Sequence, residues 1–139
     1  MPIASESVPV EPQHSGSSAL DSKRQRLAAI IRDLREVVVA FSGGTDSSYL
    51  LAACVDVLGA KHVLAVTVDS PLLPRADLAM AQAVARTLAA RHQVLAVDEL
   101  QTPEIRANPP DRCYHCKRQR FLALQAIAES VTGARVVHG

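Results

Sequence analysis

The chain has 139 residues, 48% hydrophobic and 3% aromatic, with no tryptophan and a formal net charge of +1. That suffices for one hydrophobic core and one domain, whereas near-neutral charge gives no footprint for a nucleic-acid partner and the few aromatics exclude a base-stacking platform. No stretch approaches the roughly 18 apolar residues that span a membrane, no basic-then-apolar leader opens the chain, and three cysteines point to a reducing, cytoplasmic setting.

Residues Met1 to Ala19 are rich in Pro, Ser and Glu and read as a disordered tail, leaving 20–139 as the folded domain. Asp21 or Ser22 is the expected cap of a first helix, in which Leu27, Ile30, Ile31 and Leu34 recur at helical spacing. Lys23, Arg24, Arg26, Arg32 and Arg35 form its solvated face. Val37 to Phe41 is an apolar run that predicts a buried strand. Ser48 to Leu58 predicts a helix, stopped by Gly59. His62 to Val68 predicts a second strand. Arg75 to Arg91 predicts a long helix, with Leu78, Ala81, Ala85 and Leu88 on one face. Gln93 to Val97 is the third strand, Asp98 to Arg112 a proline-bearing loop, Cys116 to Thr132 a helix with Phe121, Leu122, Leu124 and Ile127 apolar, and Arg135 to His138 the start of a fourth strand. Apolar strands alternating with helices predict a parallel α/β sheet covered on both faces. Ligands of such sheets bind beyond the carboxyl ends of the strands.

The segment between the first strand and the second helix is Ser42-Gly43-Gly44-Thr45-Asp46-Ser47-Ser48. A strand, a glycine turn and a helix N-terminus together grip a phosphate: glycine admits φ > 0, successive amides form a nest, and the helix end adds partial positive charge. The Lys of a Walker loop is missing, as is the G-x-G-x-x-G of dinucleotide folds. The competing reading is a plain glycine turn with Asp46 or Ser47 as helix cap. The pattern S-G-G-x-D-S resembles the pyrophosphate loop of the ATP pyrophosphatase (PP-loop) superfamily. That resemblance implies ATP as ligand, with Ser42, Gly43, Gly44, Thr45, Ser47 and Ser48 cradling the pyrophosphate, Ala40 and Phe41 among the other ATP-binding residues, and Asp46 helping to hold Mg²⁺. Adenine would lie near Val66, Thr67 and Val68. Asp69 is either a second site residue or a strand-end turn residue.

Cys113-Tyr114-His115-Cys116 places two sulfurs near a helix start, where thiolate is favoured. A zinc site lacks its remaining ligands, since no second C-x-x-C exists, while a redox dithiol normally follows a strand rather than a proline-rich lead-in. Cys54, inside a predicted helix, reads as an inert core residue.

Three segments in order, Ala40–Ser48, Thr67–Arg75 and Asn108–Lys117, resemble the LarE-type ATP-dependent sulfur transferases, and the likeness covers about Leu20 to Gly139. The resemblance implies a PP-loop fold with strand order 3-2-1-4. It implies adenylation of a carboxylate on a pyridinium mononucleotide, then conversion to a thiocarboxylate used in nickel-pincer cofactor synthesis for lactate racemase. Asp46, Cys113 and Cys116 are the implied catalytic residues, the sulfur coming from a sacrificed cysteine or, in the full-length form, from a [4Fe-4S] cluster that Cys113 and Cys116 help to hold with a third cysteine from the family's later part. Arg75, Arg106 and Arg112 are candidates for substrate phosphate or carboxylate, or alternatively partners in surface salt bridges. The family continues well past the position of Gly139, so the expectation is the N-terminal, nucleotide-binding portion of such an enzyme, with Val136 and Val137 on an uncovered edge and a homo-oligomeric state. Rival readings are a tRNA thiolase, an ammonia-dependent synthetase, or an ATP-binding module without turnover.

Overall fold

The computed structural model describes residues 15–131 and 133–139. The elements in chain order are α1 (Ser15–Leu34), β1 (Val37–Ala40), α2 (Thr45–Leu58), β2 (Val63–Asp69), α3 (Arg75–Thr87), β3 (Arg91–Ala96), α4 (Pro103–Arg106), α5 (Arg112–Ser130) and β4 (Arg135–His138). The four strands form one parallel sheet in the order β3-β2-β1-β4, as the resemblance implies. Val37 sits opposite both Val63 and Arg135, and Leu64 opposite Arg91.

Alternation along the strands divides the core in two. Val37, Val39 and Phe41 of the β1 segment, with Val63 and Ala65 of β2, pack against Ile31 of α1, Leu51 and Cys54 of α2, and Ala81 and Ala85 of α3. Val38 and Val66 point the other way and pack against Leu124 and Ala128 of α5. Three helices therefore cover one face and α5 covers the other. Leu51, Val38 and Val39 are fully buried, each such side chain contributing about 1.5–3 kcal/mol relative to exposure.

Several boundaries differ from the sequence expectation. Helix α1 starts at Ser15, six residues before Asp21, so neither Asp21 nor Ser22 caps it. Ser22 Oγ instead donates to the Ser18 carbonyl within the helix. Extension of a formed helix adds a hydrogen bond per residue, and no proline intervenes after Pro12 to stop it. Residues 1–14 of the expected tail lie outside the described residues. Helix α3 ends early because Ala89 adopts φ 52°, which frees Arg91 to begin β3. Helix α5 starts at Arg112, which brings Cys113 into its first turn. Val136 and Val137 lie on edge strand β4 but are half-buried, each packed against one of the two cores.

Among the described residues no helix is long and apolar enough to cross a membrane.

Candidate functional site

The phosphate-type loop leaves the carboxyl end of β1, the central position that two parallel neighbours create. Gly43 turns the chain at φ 80°; Gly44 is extended at φ −72° and serves as the N-cap of α2 without a side-chain cap. Asp46 and Ser47 therefore do not act as caps. A Cβ on Gly43 would lie 2.8 Å from Cα of Ala81, so the loop is pressed against α3.

Two serines shape the loop internally. Ser47 Oγ accepts from the Ser42 amide, meets Ser42 Oγ at 3.1 Å and donates to the Gly44 carbonyl at 3.3 Å. Ser42 Oγ accepts from the Gly44 amide. Ser48 Oγ is buried and has no partner among the described residues. The amides of Thr45, Asp46 and Ser47 open α2 and have no intrahelical acceptor. They face the region that an anion would occupy at a helix N-terminus. At the neighbouring strand end, Gly139 comes within 3.0 Å of the Asp46 carbonyl carbon, measured from an ideal Cβ position, so a larger residue there would strike α2.

A cleft of about 270 Å³ opens beside the loop. Its wall takes Ala40, Phe41, Ser42 and Ser47 from the β1–α2 connection and Val66, Thr67 and Val68 from β2. These are seven of the residues singled out from sequence. Gly43, Gly44, Thr45, Asp46 and Ser48 belong to the same loop but not to that wall. Thr67 is buried and ties two strands together: its hydroxyl donates to the Phe41 carbonyl at 2.7 Å and stands 2.8 Å from His92 Nε2. The ring of His92 also meets Phe41 edge-on at 5.8 Å. Burial holds the His92 imidazole below its ordinary pKa.

Helix α5 supplies the opposite wall with Lys117, Arg120, Phe121 and Leu124. The sequence reading passed over Arg120 and took Phe121 for core only. The signal was present: positions 117, 120, 121 and 124 have the i, i+3, i+4, i+7 spacing of one helix face. What sequence could not supply is the orientation of that face.

The remaining predicted residues lie apart. Asp69, at the end of β2, is bound fork-on by Arg75 (Nη1 to Oδ2, 3.1 Å), and Arg75 also donates to the Ser70 and Leu73 carbonyls. This pairing holds the Asp69 carboxyl below the usual range. Both residues line a second hollow with Ser70, Pro71 and Asp98. Arg106, at the end of α4, donates to the Leu100 carbonyl, and Arg112, at the start of α5, to Asn108 Oδ1. Cys113 is exposed and Cys116 buried on α5, while Cys54 lies in the core on the other face of the sheet. Burial pushes the Cys54 thiol up to about 11.

The donor sets can be tested against metals. Magnesium takes one or two carboxylates and completes its shell with phosphate oxygens and water; the exposed Asp46 beside the open amides of α2 fits that role. An iron–sulfur cluster is held by about four ligands, mostly thiolates. Among the described residues no three His, Cys, Asp or Glu side chains gather to hold a metal. Cys113 and Cys116 alone do not fit a cluster.

A glycine–serine loop at the carboxyl end of the central strand, feeding a helix N-terminus in a 3-2-1-4 parallel sheet, defines a PP-loop α/β domain. The chain belongs to the NAD synthase family, whose profile matches residues 24–131. It is 36% identical over 122 residues to the pyridinium-3,5-bisthiocarboxylic acid mononucleotide synthase of Lactiplantibacillus plantarum, covering 88% of this chain and 44% of that protein. It is 34% identical to an uncharacterised protein of Synechocystis, covering 86% of this chain and 44% of the other. The chain thus spans a little under half the length of these curated relatives. Among solved structures, the NH3-dependent NAD synthetase of Campylobacter jejuni matches with a TM-score of 0.66 at 18% identity, covering 84% of this chain and 54% of the synthetase, a likeness of fold. Family membership and the solved structure's likeness of fold agree on a PP-loop α/β domain.

Proposed function

We propose that this chain is the nucleotide-binding portion of an ATP-dependent enzyme that adenylates a carboxylate, releases pyrophosphate and leads on to a thiocarboxylate. The observation that carries the reading is the PP-loop: its helix-start amides and its serine hydroxyls open beside a cleft walled by the carboxyl ends of β1 and β2. In this reading the loop amides bind the β- and γ-phosphates and hold the negative charge that grows on them as the α–β bond breaks. The backbone of Val66 to Val68 seats the adenine. Asp46 holds Mg²⁺, which when bound neutralises phosphate charge and orients the leaving group. The carboxylate oxygen of the substrate attacks the α-phosphorus and pyrophosphate departs. A cysteine thiolate then attacks the acyl carbon and AMP departs, giving a thioester; loss of the cysteine's Cα proton with cleavage of its Cβ–Sγ bond then releases the thiocarboxylate and leaves dehydroalanine.

The finer reading takes the carboxylate to be that of a pyridinium mononucleotide, with the product serving nickel-pincer cofactor synthesis. The support is the 36% identity to a synthase of a pyridinium bisthiocarboxylic acid mononucleotide. Cys113, the exposed thiol, is then the more accessible sulfur of the pair, Cys116 being buried; neither lines the cleft. Arg106 and Arg112 each spend one N–H on a neighbouring residue and keep donors for a substrate, whereas Arg75 is engaged by Asp69, Ser70 and Leu73. A second reading is an ammonia-using synthetase, for which the support is the family's description as NAD synthase. The two differ in the second step, which consumes a thiol in one case and ammonia in the other.

The test is calorimetric titration of Mg-ATP into the wild-type chain and Asp46→Ala, followed by pyrophosphate release with a pyridine carboxylate. Binding by the wild type that weakens at least tenfold in Asp46→Ala is expected. A folded wild-type chain that binds no Mg-ATP would refute the reading for this chain.

A further inference from the structure

Glu99 is fully buried although it belongs to a short 3-10 turn, Glu99–Gln101, on the loop between β3 and α4. Burying a carboxylate is costly unless a cation of good geometry meets it. Arg120 of α5 meets it in fork fashion: Nε donates to Oε1, and Nη2 donates to Oε2 at 3.2 Å. One residue earlier on α5, Gln119 accepts from Thr102 Oγ1 at 3.0 Å, so the same loop is pinned to the same helical turn twice. The guanidinium plane is thereby fixed before any ligand arrives.

Guanidinium carries five N–H groups, and the fork to Glu99 uses two. The side chain is 38% exposed, and it lines the cleft together with Lys117 from its own helix and Ser42 and Ser47 from the phosphate-type loop. The cleft thus presents a pre-oriented cation with spare donors beside Ser42 and Ser47, at the edge of the phosphate-type loop. A fork held in place loses little freedom on meeting an oxyanion, which suits arginine better than lysine for such a contact.

We infer that Arg120 donates to a phosphoryl oxygen of the nucleotide bound in this cleft, and that Glu99 is its positioning residue. The inference rests on the nucleotide reading above and deepens it. Neither residue stands in the loop motif that defines the class.

The test uses the full 139-residue chain with Mg-ATP and adenosine as separate calorimetric probes. The variant is Glu99→Gln with Arg120→Gln, a neutral amide pair that strands no buried charge. Loss of one charge-assisted hydrogen bond should weaken Mg-ATP by about 10- to 150-fold and leave adenosine within about twofold. In the wild type, the Arg120 Nε–H resonance should move on adding Mg-ATP and stay put with adenosine. Equal loss of both ligands would make the pair structural and overturn the inference, as would unchanged Mg-ATP affinity. Unchanged Mg-ATP affinity with lost affinity for a pyridine carboxylate would move the contact to the acyl substrate and overturn it also. If the double variant fails to fold, Arg120→Lys takes its place, with the same ATP-to-adenosine ratio as readout. Wild-type binding lost in Asp46→Ala but kept in the double variant overturns this inference alone. A wild type that binds no Mg-ATP overturns the nucleotide reading and this inference together.

Discussion

Replacing Gly43 by alanine isolates what the loop requires of its backbone. The residue holds φ 80°, and an added Cβ would stand 2.8 Å from Cα, 3.0 Å from N and 3.2 Å from Cβ of Ala81. Left-handed backbone costs an L-residue about 1–2 kcal/mol. Overpacking adds about 1–3 kcal/mol, toward the upper end here because two of the three contacts are helix backbone that no rotamer change relieves. Gly43→Ala should therefore lose about 2–5 kcal/mol, a large share of the roughly 5–15 kcal/mol that holds a domain together. The neighbouring glycine is the control: Gly44 sits at φ −72° and its added Cβ would meet only Ser42 Oγ at 3.4 Å. Gly44→Ala should cost about 1 kcal/mol or less, in keeping with weak N-cap preferences. Urea unfolding followed by circular dichroism at the helix band measures both. Ala81→Gly should not rescue Gly43→Ala, because the closest contacts are to Ala81 backbone rather than to its methyl. Equal losses at the two glycines, or full rescue by Ala81→Gly, would refute the reasoning.

Arg120→Met alone should destabilise the chain by about 3–5 kcal/mol, because it strands the buried Glu99 carboxylate, and adding Glu99→Gln should restore more than half, as urea midpoints would show. His92 has its folded pKa pulled below its ordinary value by burial, so the unfolded chain takes the proton first. Its contribution to stability is complete well above about pH 6.5 and declines as pH falls through that value toward the folded pKa; Tm measured from pH 8 to pH 5 should fall less steeply in His92→Gln. Among the cysteines, a thiol reagent should label the exposed Cys113 at once in the native chain, whereas Cys54, buried and with its thiol pushed up to about 11, should react only on unfolding. Fast native labelling of Cys54, followed by peptide mapping, would contradict its place in the core.

Much of the architecture was legible in the residues. Val37 to Phe41, the Ser42–Ser48 loop and the apolar run after it specify strand, turn and helix locally. Each step is a matter of neighbouring side chains and glycine's conformational range, which do not depend on the rest of the molecule. The strand order came from motif resemblance rather than from periodicity, since apolar strands buried on both faces look alike. Boundaries were less legible. Helix α1 runs further toward the N-terminus than its cap residues suggest, and α5 includes Cys113, because helix extension and tertiary packing outweigh weak terminal preferences.

By itself, the sequence determined that a phosphate-type loop would stand at the end of a buried parallel strand and that two sulfurs would lie near the start of the last helix. Only the tertiary structure decided which side chains share the cleft with that loop. Arg120 reaches it because Glu99, 21 residues earlier, is buried beneath it. Cys54 cannot join Cys113 and Cys116 because the sheet lies between them. These are pairings between residues distant along the chain. They are set by strand order and by the turn of each helix about its axis, and a local pattern of residue types does not encode either quantity.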